Sequence, residues 1–506
     1  GASAMRKAGA SNSLSEFILN RLSHSSNKTI AIFPRAGVEL TGSDIAGTLQ
    51  PNTDVLKHGM EYTPQRVVLF LSKSPEYVSW LFTCFVQGIC VCPVDPSVGH
   101  AELQRVIDSF RPDFLLSEQE CSELDSGTLA QTLGKLRLYF FPAHRARQSA
   151  LPAGASLCMF TSGTTGRPKG VLLSAQNLVY AAGLVPVAHK LASNDRVLAL
   201  LPITMMNGLV TTLLAVIHSG GSAVYYEGMF TPYQAMRWAV EHQATWLNAT
   251  PVYYSSFCRP FLEPDDLSGH RLKFGRSAGA ALPAKVQTEF EEHYHIPIIE
   301  TMGLTETAGQ VFSNPMELDE RKTGSVGRPV GDEAKIVSPT FEALADGKEG
   351  EIWIRGENLF LGYLDDPAAT AAALQNGWLR TGDLGLRDRE GFFRVTGRIK
   401  EIVIRGGQNV SLKEIDETLM AHPDVALCCS VGAWSDVEGE LVVSFVQCKN
   451  KIAFDSDMLL AHCRTQLAPF KVPKLLHSIE MFPHLANGKI DKQSLKKTAQ
   501  SLVETT

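Results

Sequence analysis

The chain has 506 residues, 44% of them hydrophobic and 20% charged, and a formal net charge of -6. Such a length exceeds one ordinary core and sets two or three domains as the expectation; the composition excludes a disordered or fibrous chain, and the acidic balance gives no electrostatic reason for nucleic acid as the main partner. Ten scattered cysteines, with no CxxC pair or metal-ligand spacing, read as reduced, mostly buried thiols of a cytoplasmic protein.

Gly1–Ala4, ahead of Met5, read as an expression remnant and are set aside, and the polar stretch after them holds no signal-peptide core. The first clear α/β rhythm is Arg66–Leu71, a β-branched run, then Ser74–Phe85 with apolar residues at helical spacing, then the strand-like Gly88–Val94. Leu157–Phe160 is an apolar run that suits a strand feeding a loop. The loop is Thr161-Ser162-Gly163-Thr164-Thr165-Gly166-Arg167-Pro168-Lys169-Gly170. Its glycines let several backbone N–H groups converge on an anion, its hydroxyls add donors, and Lys169 adds a full positive charge. It is not the GxxxxGK[ST] loop that opens directly into a helix, because Pro168 and Gly170 flank the lysine.

Val197–Tyr226 holds no Asp, Glu, Lys or Arg and is long enough to span a bilayer. Pro202, Asn207, His218 and the Gly220-Gly221-Ser222 break predict instead a buried helix followed by a buried strand, with no integral membrane segment. The alternation continues at Ala244–Leu247 and Ile296–Ile299. From Gly350 to Gly397 short strands with Gly turns predict a small β-rich subdomain, and Gly397–Glu401 marks a boundary before a further stretch of about a hundred alternating residues.

The ten-residue loop resembles the signature of the acyl-adenylate-forming superfamily, which includes acyl-CoA synthetases, adenylation domains of peptide synthetases and luciferases. The likeness recurs in order at Glu300–Glu306, Leu379–Gly385, Gly397–Asn409 and Asn487–Asp491. It implies an α/β fold: a large N-terminal domain of packed sheets over 5–397, including the β-rich subdomain, a hinge over 398–401, and a smaller mobile α/β domain over 402–506. It implies ATP-dependent activation of a small carboxylic acid as acyl-AMP, then transfer to the thiol of CoA or, in the alternative, to a carrier-protein phosphopantetheine.

The resemblance carries roles onto matching positions. Thr161, Ser162, Gly163, Thr164, Thr165 and Gly166 with Lys169 would cradle the phosphates. Glu306 would be the carboxylate ligand of Mg2+ and Thr305 would bond the α-phosphate. Asp383 would hold the ribose hydroxyls and Arg398 the ribose or phosphate. Gly279, Ala280 and Ala281 would form one wall of the adenine site, with Thr301, Met302 and Gly303 on the other. Lys489 would stand as an ammonium between the acid and the α-phosphate, where preorganised charge is most effective. Lys400 would be the pivot, and Gly406 and Gly407 would line the thiol passage. Met205, Asn207, Thr211 and Arg276 would line the acyl pocket.

Departures matter too. Met302 stands where relatives usually carry Tyr, and Met205 where many carry His; Trp434 has no functional account. No Asp occurs between Arg196 and Tyr226, which excludes the usual amino-group contact of α-amino-acid activation. Arg276 could meet a second carboxylate of the substrate or serve a structural ion pair. A catalytically dead scaffold is the reading from another class, and intact Lys169, Glu306, Asp383, Arg398 and Lys489 argue against it.

Overall fold

The computed structural model describes residues 14–505 apart from 59, 61, 162–168, 406, 407, 486 and 487, and every count below is of those residues. Two large sheets build the N-terminal part. The nine-stranded sheet has the order Arg328–Pro329, Gly309–Ser313, Ile298–Leu304, Phe274–Ser277, Trp246–Ala249, Arg196–Ala199, Ser222–Tyr225, Thr29–Phe33, Val38–Thr41. Its inner strands are parallel, and antiparallel strands close both edges. The eight-stranded sheet places Arg66–Phe70 between Cys90–Pro93 and Phe114–Ser117 and ends at Gly362–Tyr363. Inner strands such as Arg66–Phe70 are buried at every position, which is why they read as continuous apolar runs without alternation.

One hydrophobic core fills the space between the sheets. Val67, Leu69 and Val91 come from one sheet, Ala31, Val197 and Ile299 from the other, and Trp80, Leu81, Leu178 and Ala181 from the helices Pro75–Val86 and Ala175–His189. The predicted helix over 74–85 is thus observed. Ser74 caps it, its hydroxyl accepting from Tyr77 N, and Pro75 fills the first turn, where a missing N–H costs nothing. The uncharged stretch Val197–Tyr226 divides into a strand the sequence reading missed, Arg196–Ala199, a helical run and the strand Ser222–Tyr225, all within this core. No helix of the described residues is long and apolar enough to cross a membrane.

The predicted β-rich subdomain is a five-stranded sheet built on Gly350–Arg355 and Trp378–Arg387. Beyond the short 3-10 turn Ile399–Glu401, the chain makes a hairpin, Ile402–Arg405 with Gln408–Ser411, and a three-stranded sheet with the helices Leu412–Met420, Ser456–Gln466 and Lys492–Glu504. Val403, Ile415, Leu419 and Val442 of this C-terminal unit share a hydrophobic cluster with Leu198, Leu247 and Phe290 of the large unit. Polar pins add direction: Lys285 Nζ donates to the carbonyls of His422 and Val425, and Lys449 pairs with Glu289 at 3.3 Å.

Asn177 ties the core to the subdomain. Its side chain closes a capping box with Ser174 and also donates to Glu357 O at 2.8 Å and Leu359 O at 2.9 Å. Asn177→Ala leaves the Ser174 cap but removes the reciprocal bond from Ser174 N and strands two carbonyls, so it is expected to lower the unfolding free energy by about 2–3 kcal/mol. The shift in urea midpoint at unchanged slope is the measurement.

Candidate active site

Strands Ala155–Thr161 and Lys169–Ser174 are antiparallel with Thr161 opposite Lys169, so the predicted phosphate loop is the connection between them. Ser162, Gly163, Thr164, Thr165 and Gly166 lie outside the described residues; the two ends of the loop are fixed. Pro168 and Gly170 argued against a helix here, and Lys169 instead begins a strand. Its Nζ lies 5.0 Å from the ring centroid of Tyr363. Tyr363 belongs to the edge strand Gly362–Tyr363, paired to Lys169–Ser174, and its hydroxyl donates to Glu306 Oε1 at 2.9 Å. Burial, with the Glu306 charge beside it, pushes the phenol's pKa up, so the proton stays on Tyr363 and the bond keeps its direction. One tyrosine therefore joins the lysine of the first motif to the glutamate of the second. The sequence reading missed it, because a Gly-Tyr pair outside any motif carries little signal.

Glu306 sits in the 3-10 turn Thr305–Thr307 after strand Ile298–Leu304. Its carbonyl accepts from Phe360 N at 2.8 Å. Gly303 permits the hairpin behind it, since a Cβ there would fall 1.5 Å from Gly309 O. Glu306 is half-buried and has no ion-pair partner among the described residues. Such a carboxylate suits a hard divalent ion, which takes oxygen ligands.

Thr301 is buried and its hydroxyl donates to Ser277 O at 2.9 Å, whereas Met302 is half-buried and packs against the subdomain cluster. Glu300, which no motif reading singled out, accepts from Leu282 N at 3.0 Å and so ties the end of Gly279-Ala280-Ala281 to the second motif. Burial lifts its carboxyl to about 7.

Asp383 lies in strand Trp378–Arg387, directly opposite Arg398, and accepts from Arg398 Nε at 3.2 Å. Burial raises its carboxyl above the usual range while the Arg398 guanidinium opposes that shift. Lys489 completes the cleft from the C-terminal unit. Its turn is closed by Leu485 N to Lys489 O and Gly488 N to Leu485 O, with Gly488 at φ +81, a conformation that favours glycine. A Cβ built on Gly279 would stand 3.6 Å from Lys489 Cε, and one on Gly488 3.4 Å from the Tyr253 ring. Partial desolvation in the cleft, then Arg398 and Lys492, hold the ammonium below its ordinary 10.5, with Asp383 and Glu306 pulling the other way; water still reaches much of the side chain. Lys400 is exposed in its turn, and Gly406 and Gly407 lie outside the described residues.

The residues predicted to line an acyl pocket lie close together. Met205 is half-buried ahead of the helical turn. Asn207 O accepts from Thr211 Oγ1 at 2.8 Å and Thr212 Oγ1 at 2.7 Å, and this crowding of one carbonyl accompanies a π-helical turn over Leu209–Leu214. Asn248 Nδ2 reaches Thr212 Oγ1, and Asn248 Oδ1 accepts from Arg276 Nη1 at 3.0 Å.

Fold and site together define an ATP-dependent, AMP-forming acid–thiol ligase of the acyl-CoA synthetase type. Residues 24–364 match the model of the AMP-binding enzyme family and 414–489 that of the AMP-binding enzyme C-terminal domain. The chain belongs to this family. It is 34% identical over 503 residues, 95% of this chain and 97% of the relative, to a sulfoacetate–CoA ligase of Cupriavidus necator. It is 33% identical to an oxalate–CoA ligase of Arabidopsis thaliana, over 68% of this chain and 66% of that protein. The crystal structure of ATP-bound MatB from Rhodopseudomonas palustris superposes with a TM-score of 0.82 at 25% identity, covering 96% of this chain and 99% of that one.

Tyr363→Phe removes the donor to Glu306 while keeping the ring against Lys169. A hydrogen bond to a charged group is worth about 1.5–3 kcal/mol, so ATP-dependent pyrophosphate release is expected to fall roughly ten- to a hundredfold. The unfolding midpoint should stay unchanged, which separates positioning from folding.

Proposed function

We propose that the cleft joins a carboxylate oxygen of a small acid to the α-phosphate of ATP, breaking the bond to pyrophosphate, and that the acyl group then passes to the thiol of CoA with release of AMP. The observation that carries this reading is the approach of Lys489, from the C-terminal unit, to Gly279, Glu306 and Asp383 of the large unit. Two anions must meet at one phosphorus, and their repulsion is the barrier that fixed cations lower. Lys489 stands between the acid and the α-phosphate, and Lys169 with the loop around it holds the outer phosphates. Thr305 donates to the α-phosphate, Asp383 receives the ribose hydroxyls, and Arg398 steers both the nucleotide and Asp383.

Glu306, steadied by Tyr363, would hold Mg2+. The ion supplies charge withdrawal from the phosphate oxygens when bound.

Domains over 5–397 and 402–506, hinged at 398–401 around Lys400, alternate between two orientations. The described orientation is the adenylating one. The other withdraws Lys489 and presents the loop holding Gly406 and Gly407 to the thiol. The pins Lys285–His422 and Lys449–Glu289 belong to the first orientation and must break for the second. A relative acting on sulfoacetate supports a small acid as substrate. Ten cysteines, all free thiols, support a cytoplasmic setting.

Lys489→Ala is expected to cut acyl-adenylate formation by at least about 10²–10³-fold, read as ATP–pyrophosphate exchange. Thioester formation from synthetic acyl-AMP and CoA should survive; equal loss of both steps would overturn the division of labour. The alkaline limb of adenylation should lie below pH 10.5, because the cleft lowers the Lys489 pKa and the step needs its proton. A limb absent up to pH 10.5 would contradict that role.

A further inference from the structure

Arg276 is an anomaly of charge. It is 1% exposed on the central strand Phe274–Ser277, and no Asp or Glu pairs with it among the described residues. Its contacts are neutral: Nη1 donates to Asn248 Oδ1 at 3.0 Å and Nε to Gln310 Oε1 at 2.9 Å, and both partners are fully buried. Two amide oxygens orient a guanidinium but supply no counter-charge, and a buried cation without one is costly. Burial pulls its pKa down only to about 9, so it remains charged near neutrality.

Its surroundings do not resolve that charge. His189 packs 5.2 Å from Phe274 and 6.3 Å from Trp246, ring centroid to ring centroid, with the neutral Gln310 side chain as its polar neighbour. Burial and Arg276 push it down to about 3, so it adds no second cation. The hydroxyls of Ser277 and Thr250 are buried without a hydrogen-bond partner among the described residues.

This polar patch lies along the route to the reacting lysine. A Cβ on Gly279 would stand 3.2 Å from Thr250 Cγ2, 3.5 Å from Asn207 Nδ2 and 3.6 Å from Lys489 Cε. Asn207 O in turn lies 3.4 Å from Asn248 Nδ2, and Asn248 holds Arg276. Asn207 and Asn248 therefore bridge Lys489 at one end and Arg276 at the other, with Thr211 beside them.

We propose that Arg276 closes the acyl pocket as an anion-reading residue, and that the acid activated here is short and carries a second anionic group, carboxylate or sulfonate, opposite the carboxylate that is adenylated. This deepens the adenylation reading and rests on it. Asn248 and Gln310 hold the guanidinium planar and aimed; His189 keeps that end of the site dry without competing for the anion. The near absence of solvent exposure at Arg276 makes a neutral chain end a poor occupant, since it would leave the cation unpaired.

The test is pyrophosphate release by the full chain with ATP, Mg2+ and CoA on acids matched in length, such as propanoate, malonate and sulfoacetate, then butanoate and succinate. The anionic member of a set is expected to exceed its neutral partner roughly ten- to a hundredfold in kcat/KM. Arg276→Met, similar in length and neutral, is expected to collapse that ratio, and Arg276→Lys to restore part of it. Equal or better turnover of the neutral acids by the unaltered enzyme overturns the proposal, even if the variants fail to fold. A folded Arg276→Met that keeps the anionic preference overturns it as well. No pyrophosphate from any acid overturns the adenylation reading itself, which distinguishes the two failures.

Discussion

Charge balance in one cleft is the constraint on which the arrangement depends. Lys169, Arg398 and Lys489 face the same space as Glu306 and Asp383, and they come from three separate parts of the fold. Brought together without partners, such cations would repel one another. Arg398 is neutralised by Asp383 across adjacent strands, and Lys169 rests on the face of the Tyr363 ring. Lys489 feels the repulsion of Arg398 and Lys492 and the attraction of Asp383 and Glu306 at once.

The scaffold around the charges is built to keep them still. Tyr363 and Phe360 both contact Glu306, one through its carboxylate and one through its carbonyl. Their segment is anchored in turn by Asn177 through Glu357 O and Leu359 O. Glu300 fastens Leu282 on the far wall. Each tie joins residues remote in sequence, so the position of a reacting group is set by the core between the sheets and not by its own loop.

The boundary between the two units is of a different kind. Apolar contact at the shared cluster has no strong direction, whereas Lys285 on the carbonyls of His422 and Val425, at the exit of helix Leu412–Met420, fixes angle and register. A few polar pins over an apolar pad can exchange with water at little net cost, which the proposed alternation of the two units would require.

What the sequence by itself determined was the chemistry that local pattern encodes. Strand and helix periods over Arg66–Val94, the β-rich texture after Gly350 and the absence of a helix at Lys169 were legible, since each depends on near neighbours. So were the charged members of the cleft, carried by motif likeness at Lys169, Glu306, Asp383, Arg398 and Lys489. Tertiary structure alone decided which groups meet. Tyr363 became the link between two motifs because an edge strand pairs beside Lys169. Thr301 turned inward to Ser277. Arg276, ambiguous as a residue type, acquired meaning only when its side-chain partners among the described residues proved to be amides and no carboxylate. Charge compensation is a property of space, and a buried cation's need for a partner cannot be read until every residue that could have been that partner has taken its place.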